Sequence, residues 1–257
     1  MKTYEAIDRI GKAIIEDGLC EAIVLKGSIG RGDDDAYSDI DMYVVVAKEK
    51  YSVFMDRRLS YLKTYGEIVY CTENDFGVKQ MLAIYENALH IDLYTTTMEQ
   101  IDHNNPVKVY YDPKQLFAGY EVKHQPYTEE DLVKLFDDSL YYFVEADSAY
   151  ARKNYPWTAH ILSAAIAGSV KLMRNRYDPD YAYLGLKKIN EILPMEEYEL
   201  VEEAYANLNK EGFQKANQCI LDMLELVLSD MKEEVRNACN LKFFAWCKKN
   251  VNVTLFI

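Results

Sequence analysis

Two aspartates set one residue apart on an apolar run are the side chains best suited to chemistry. Asp39 and Asp41 flank Ile40 and lead into Tyr43-Val44-Val45-Val46. In an extended chain, residues i and i+2 point to the same face, so both carboxylates leave together an element that otherwise reads as core. Like charges about 4 Å apart repel by roughly 4 kcal/mol at an effective dielectric near 20, a large share of a domain's stability. Such a pair calls for a cation. A third acid belongs with them: in "ALHIDLYTT", His90, Asp92 and Tyr94 share one face while Ile91 and Leu93 take the other. If the two strands are neighbours, three carboxylates converge on a divalent metal, and an all-oxygen ligand set favours Mg²⁺ or Mn²⁺ over zinc. His90 itself reads as a packed core histidine.

Upstream, an apolar run ends in Gly27-Ser28, with Gly30 and Gly32 close behind. Glycines allow a tight turn and let backbone N–H groups approach an anion. Ser28 adds a hydroxyl, and Arg31 a cation that either binds phosphate or pairs with one of Asp33, Asp34 and Asp35. Those three acids read as a solvated turn. The G-x-x-x-x-G-K-[ST] pattern is absent, so this is no P-loop. A plain turn explains the glycines alone; what raises them is their place before Asp39, Asp41 and Asp92.

The elements that position these residues are short. Ile7, Ile10, Ile14 and Ile15 predict an amphipathic helix over residues 3–17. Strands are predicted at 22–26, 40–47 and 67–72, a helix at 50–64, and two strands within 80–97 joined at Glu86-Asn87. A further strand or edge is predicted at 108–112. From Pro126 the texture becomes helical. Thr128 is placed to cap a helix bearing Leu132, Leu135, Phe136, Leu140 and Phe143 on one face, and helices follow at 157–176, 195–209 and 213–239. The expected fold is α+β: a catalytic domain at 1–112 with a mixed β-sheet flanked by helices, a connecting segment at 113–127, and an acceptor-binding helical bundle at 128–257.

The combination in "GSIGRGDDDAYSDIDMYVVV" resembles the nucleotidyltransferase superfamily that shares the DNA polymerase β palm. In its minimal members Gly-Ser, an Arg-Gly pair and Ser-Asp-hydrophobic-Asp recur. The motif resemblance covers residues 22–97; the helical second half is similar in architecture to antibiotic nucleotidyltransferases of the aminoglycoside and lincosamide types. The resemblance implies transfer of AMP, or another nucleoside monophosphate, from ATP or another triphosphate to a hydroxyl of a small molecule, with pyrophosphate released. It implies two Mg²⁺ ions held by Asp39 and Asp41, with Asp92 as general base or third ligand. Gly27, Ser28, Arg31 and Ser38 would bind nucleotide, and a homodimer is admitted. Tyr141, Tyr142 and Glu145 either contact the acceptor or pack the bundle. Lys171, Arg174 and Arg176 either reach nucleotide phosphates or satisfy a helix C-terminus.

Composition narrows the field. The 257-residue chain carries a net charge of −13, which disfavours nucleic acid as a partner, because phosphates need clustered Lys and Arg. It suits a cationic acceptor. No apolar run is long enough to span a bilayer, the N-terminus lacks a signal-peptide core, and no membrane partner is expected. Five scattered cysteines without a CxxC pair fit reduced thiols in a cytoplasm. The competing reading is an antitoxin-type adenylyltransferase that modifies a partner protein, although such proteins are little more than the catalytic domain, and the R-x4-6-H motif of their ribonuclease partners is missing here. A nucleotide sensor without turnover has no support, since all three acids are present.

Overall fold

The computed structural model describes residues 2–251 and residue 255. The chain divides into two compact units, one up to His124 and one from Gln125 onward.

The first unit is built on six strands, β1 (Cys20–Leu25), β2 (Ile40–Val46), β3 (Ile68–Asp75), β4 (Lys79–Tyr85), β5 (His90–Thr96) and β6 (Lys108–Tyr111), in the order β3-β4-β5-β2-β1-β6. The β2–β5 pair is parallel and the other neighbours are antiparallel. Alternation decides the faces. Ile40, Met42, Val44 and Val46 of β2, with Ile91 and Leu93 of β5, are buried with helices α1 (Lys2–Asp17) and α3 (Tyr51–Leu62). Helix α1 supplies Ala6, Ile7, Ile10 and Ile14 at helical spacing, and α3 supplies Phe54, Tyr61 and Leu62. Each large apolar side chain so buried contributes about 1.5–3 kcal/mol. The opposite face carries the acids. Part of it is covered by a second apolar cluster of Ala22, Val24, Val45, Ile101 and Phe117.

Two features of this unit depart from the sequence reading. The bend expected at Gly27-Ser28 is one turn of helix, α2 (Gly27–Arg31), closed by Gly32 in the left-handed region. Part of the segment expected to connect the domains is packed on the first unit: Phe117 is buried there, and the Asp112 carboxylate accepts the N–H groups of Leu116 and Phe117 at 2.9 Å.

The second unit is helical. Helix α4 (Glu129–Ala151) opens on Thr128, whose side chain and that of Asp131 cap each other's backbone N–H. Then come α5 (Tyr155–Tyr177), α6 (Ile189–Ile192), α7 (Met195–Ala206), α8 (Phe213–Asp230), α9 (Glu233–Ala238) and α10 (Leu241–Asn250). Phe136, Leu140, Ile166, Val170, Leu224 and Phe244 lie in one core. The single helix expected over 213–239 is broken, because Met231 and Lys232 are both extended. Among the described residues, no helix is long and apolar enough to cross a membrane.

Candidate active site

The parallel register of β2 and β5 places Asp41 opposite Asp92 and Tyr43 opposite Tyr94. Residues paired across strands share a face and sit one strand spacing apart, about 4.8 Å. The site face is therefore laid out in rows. The first row runs from Lys26 at the end of β1, whose N–H donates to the Asp41 carbonyl at 2.9 Å, through Asp41 and Asp92 to Leu82. The second row runs from Val24 through Tyr43 and Tyr94 to Gln80. Asp39 precedes β2 at the same end of the strands, close enough that its charge raises the Asp92 pKa. Asp41 and Asp92 are thus brought together on one face at the ends of two central strands, with Asp39 just before them.

Asp92 is buried, with only 8% of its surface exposed. That burial lifts its carboxyl above the usual carboxylate range, while the adjacent His90 ring pulls the other way. His90 Nε2 lies 3.0 Å from Asp92 Oδ1. The expectation of a core histidine is therefore corrected: His90 is the first residue of the central strand β5, half-exposed, with its ring on the Asp92 carboxylate.

Gly27 is required by space as well as by backbone. Its φ is +59°, and a Cβ there would fall far inside contact distance of Asp41 Oδ2 and 3.1 Å from Asp41 Cγ. The turn and the carboxylate are in direct apposition. Ser28 follows, buried, in the same turn. Arg31 is turned onto Asp33, with Nε and Nη2 each 3.3 Å from Oδ2. Ser38, expected among the nucleotide-binding residues, uses its hydroxyl to close the turn before β2. It donates to Asp35 Oδ1 at 3.1 Å and accepts the Asp35 N–H at 2.9 Å.

Sequence reasoning missed the group beside this row. Lys26 is only 3% exposed. Its ammonium bonds both the carbonyl and Oδ2 of Asp102 at 3.0 Å and stands 4.6 Å above the Tyr43 ring. Burial pushes its pKa down, opposed by the Asp102 carboxylate. Tyr43 in turn stacks on Tyr94 with centroids 4.3 Å apart, and Gln80 donates to the Tyr94 hydroxyl at 3.1 Å. Burial raises both phenols, Tyr94 to about 12. A lone lysine at a strand end carries no periodic signal; the one available clue was its position immediately before Gly-Ser.

The basic residues of the second unit are committed within it. Arg174 is buried, bonded to Asp178 and to the carbonyls of Gly185 and Lys187. Arg176 pairs with Glu197 and Asp230. The stem of Lys171 packs beside Gly185. The carbonyls that Arg174 bonds lie beyond α5, in a turn that follows it, and not at the last turn of the helix itself. Tyr141, exposed on α4, donates to Glu145 at 3.0 Å, while Tyr142 packs partly against the bundle core. A cavity of about 380 Å³ in this unit, lined by Tyr127, Leu132, Leu172, Arg176, Asp230 and Met231 among others, includes none of those three.

Among the described residues, no three His, Cys, Asp or Glu side chains are already gathered as a metal cage. The donor chemistry nonetheless fits a hard divalent cation. Asp41 and Asp92 are carboxylates in register at strand spacing, Asp39 adds a third, and no sulfur donor accompanies them.

The family model described as a nucleotidyltransferase domain matches residues 7–150. No curated protein matches. Among solved structures, the chain is similar to the crystal structure of an aminoglycoside 6-adenyltransferase from Bacillus subtilis, at 9% identity, covering 95% of this chain and 98% of that one, with a TM-score of 0.34. Together with the motif, the sheet and the acidic row, the match over more than half of the chain shows that this chain belongs to the nucleotidyltransferase family.

Proposed function

We propose that the chain moves a nucleoside monophosphate, AMP from ATP in the first instance, onto a hydroxyl of a small cationic acceptor of the aminoglycoside or lincosamide class. The acceptor oxygen bonds to the α-phosphorus, the bond from that phosphorus to the bridging oxygen breaks, and pyrophosphate leaves. Asp39 and Asp41 would hold divalent cation, which when bound neutralises charge on the phosphate oxygens. Gly27 and Ser28 would hold the departing phosphates, with Arg31 able to join them on release from Asp33. The acceptor hydroxyl must lose a proton. Asp92 is the group suited to take it, because burial already makes its carboxylate a better base than an exposed aspartate.

The observation that carries this reading is the in-register Asp41–Asp92 pair, with the Asp41 carboxylate lying against Gly27. The acidity of the chain, −13 overall, supports a cationic acceptor. The test is a pyrophosphate-release screen of aminoglycosides and lincosamides with ATP and GTP, with Mg²⁺ and with chelator. Release that needs Mg²⁺ and disappears in Asp41→Asn is expected. Full turnover in that variant would refute the assignment of Asp41, and the absence of both release and triphosphate binding would refute the function.

A further inference from the structure

The α2 turn is held from two sides. Gly27 lies against the Asp41 carboxylate, and Gly30 lies against the backbone carbonyls of Pro106 and Leu25, leaving no room for a Cβ. Pro106 belongs to the segment that leaves β5 and returns over the site face. That segment is locked on itself. Tyr120 donates to the carbonyls of Asp102 at 3.1 Å and Asn105 at 2.6 Å, the His103 ring stacks on Tyr120, and the Lys123 N–H donates to the His103 carbonyl at 2.7 Å. The sheet meets this lock through Lys26, whose ammonium reaches the Asp102 carbonyl and carboxylate together while seated on Tyr43. Burying a lysine is costly unless it is paired. An apolar residue would continue the Ala22–Val24 face of β1 without that cost, so a lysine here needs a reason beyond packing.

We propose that Lys26 is a positioning residue: by holding Asp102 it fixes the 102–106 segment that backs Gly30, and so fixes the α2 turn against Asp41. The inference rests on the reading of that turn as the phosphate-holding element. In this role Lys26, its ammonium engaged by Asp102 and Tyr43, acts through the segment it anchors. Asp102 is its charge partner, since removing that carboxylate leaves the buried ammonium with the backbone carbonyl and the Tyr43 ring.

Three measurements on the full chain test this: hydrogen exchange without nucleotide, calorimetry with ATP and Mg²⁺, and the thermal midpoint. In Lys26→Met, amides of 27–32 and 101–106 exchange faster, and ATP binds about tenfold more weakly, the scale of a lost supporting contact. The midpoint changes little, because Asp102, 41% exposed at its side chain, stays hydrated when the ammonium is lost and the cost of burying that ammonium is removed with it. A purely structural lysine would instead lower the midpoint and leave ATP affinity alone. Asp102→Asn weakens ATP binding similarly, and the double variant Lys26→Met/Asp102→Asn is no weaker than either single one, because the two act as a unit. Lys26→Arg, which keeps the charge and can still reach Asp102, recovers part of the affinity. Wild-type exchange and ATP affinity in Lys26→Met would overturn the inference. A wild-type protein that binds no nucleoside triphosphate would instead overturn the reading of the site, and the exchange pattern of Lys26→Met would still decide whether the lysine holds the turn.

Discussion

Replacing Gly27 by alanine sets the turn and the acid in direct conflict. The new Cβ has two consequences that can be separated. The first is conformational: at φ +59° an L-residue is disfavoured by about 1–2 kcal/mol. The second is steric. Asp41 Oδ2 occupies the place where the methyl group would be, so the carboxylate must withdraw by roughly 1 Å or swing away, and a displacement of that size costs about 10²-fold in rate. Gly77, in the β3–β4 turn, supplies the control. Its φ is +83°, and nothing lies within 4 Å of a Cβ built there. Both Gly27→Ala and Gly77→Ala should therefore lose stability in urea unfolding, Gly27→Ala at least as much because the clash adds to the conformational cost, while only Gly27→Ala loses pyrophosphate release by about 10²-fold or more. The reasoning fails if Gly27→Ala turns over at the wild-type rate, or if Gly77→Ala is impaired equally.

Other outcomes follow from the same structure. Because burial raises the Asp92 pKa, the folded state holds that proton more tightly than the unfolded chain, whose aspartates titrate near 3.9. The stability this contributes is present below about pH 3.9 and lost as pH rises through the folded pKa; Asp92→Asn should flatten that part of the stability profile, read from urea midpoints. For the same reason divalent-cation binding should release protons and tighten with pH across that window, measurable by calorimetry in buffers of different ionisation enthalpy. In the second unit, Thr128→Ala removes a capping box and should cost about 1 kcal/mol in urea unfolding. Arg174→Met strands Asp178 and two carbonyls and should cost about 3–5 kcal/mol; a value under 1 kcal/mol would show the pair to be dispensable.

Asp41 and Asp92 were legible because each breaks an apolar run at a position that the period of two assigns to one face, and Asp39 because it stands two residues before Asp41. Both strands of "QMLAIYENALHIDLYTTT" were legible from the same alternation, and α4 from Thr128 and its apolar stripe. What stayed hidden was non-local or had no local signal. Lys26 draws its meaning from Asp102, far along the chain, and from Tyr43 beneath it. The β2–β5 register was a supposition until the pairing showed it. The break after α8 has neither proline nor glycine to announce it; Met231 and Lys232 simply extend. Helix α10 was not predicted: the expected helix ends at 239, and Asn240, whose side chain caps α10, was not read as a start signal.

The parallel junction between β2 and β5 has a further consequence. Antiparallel neighbours can be joined by a short hairpin, but a parallel pair must wait for a long crossover to return, here one that contains α3 and the whole β3–β4 hairpin. The two acids facing each other in the first row therefore arrive on opposite sides of that excursion. A chain severed at Gly77 would yield two pieces with one member of the Asp41–Asp92 couple apiece, each chemically mute until they reassociate. Contact order predicts that this parallel seam closes late, and activity regained on refolding would report its closure.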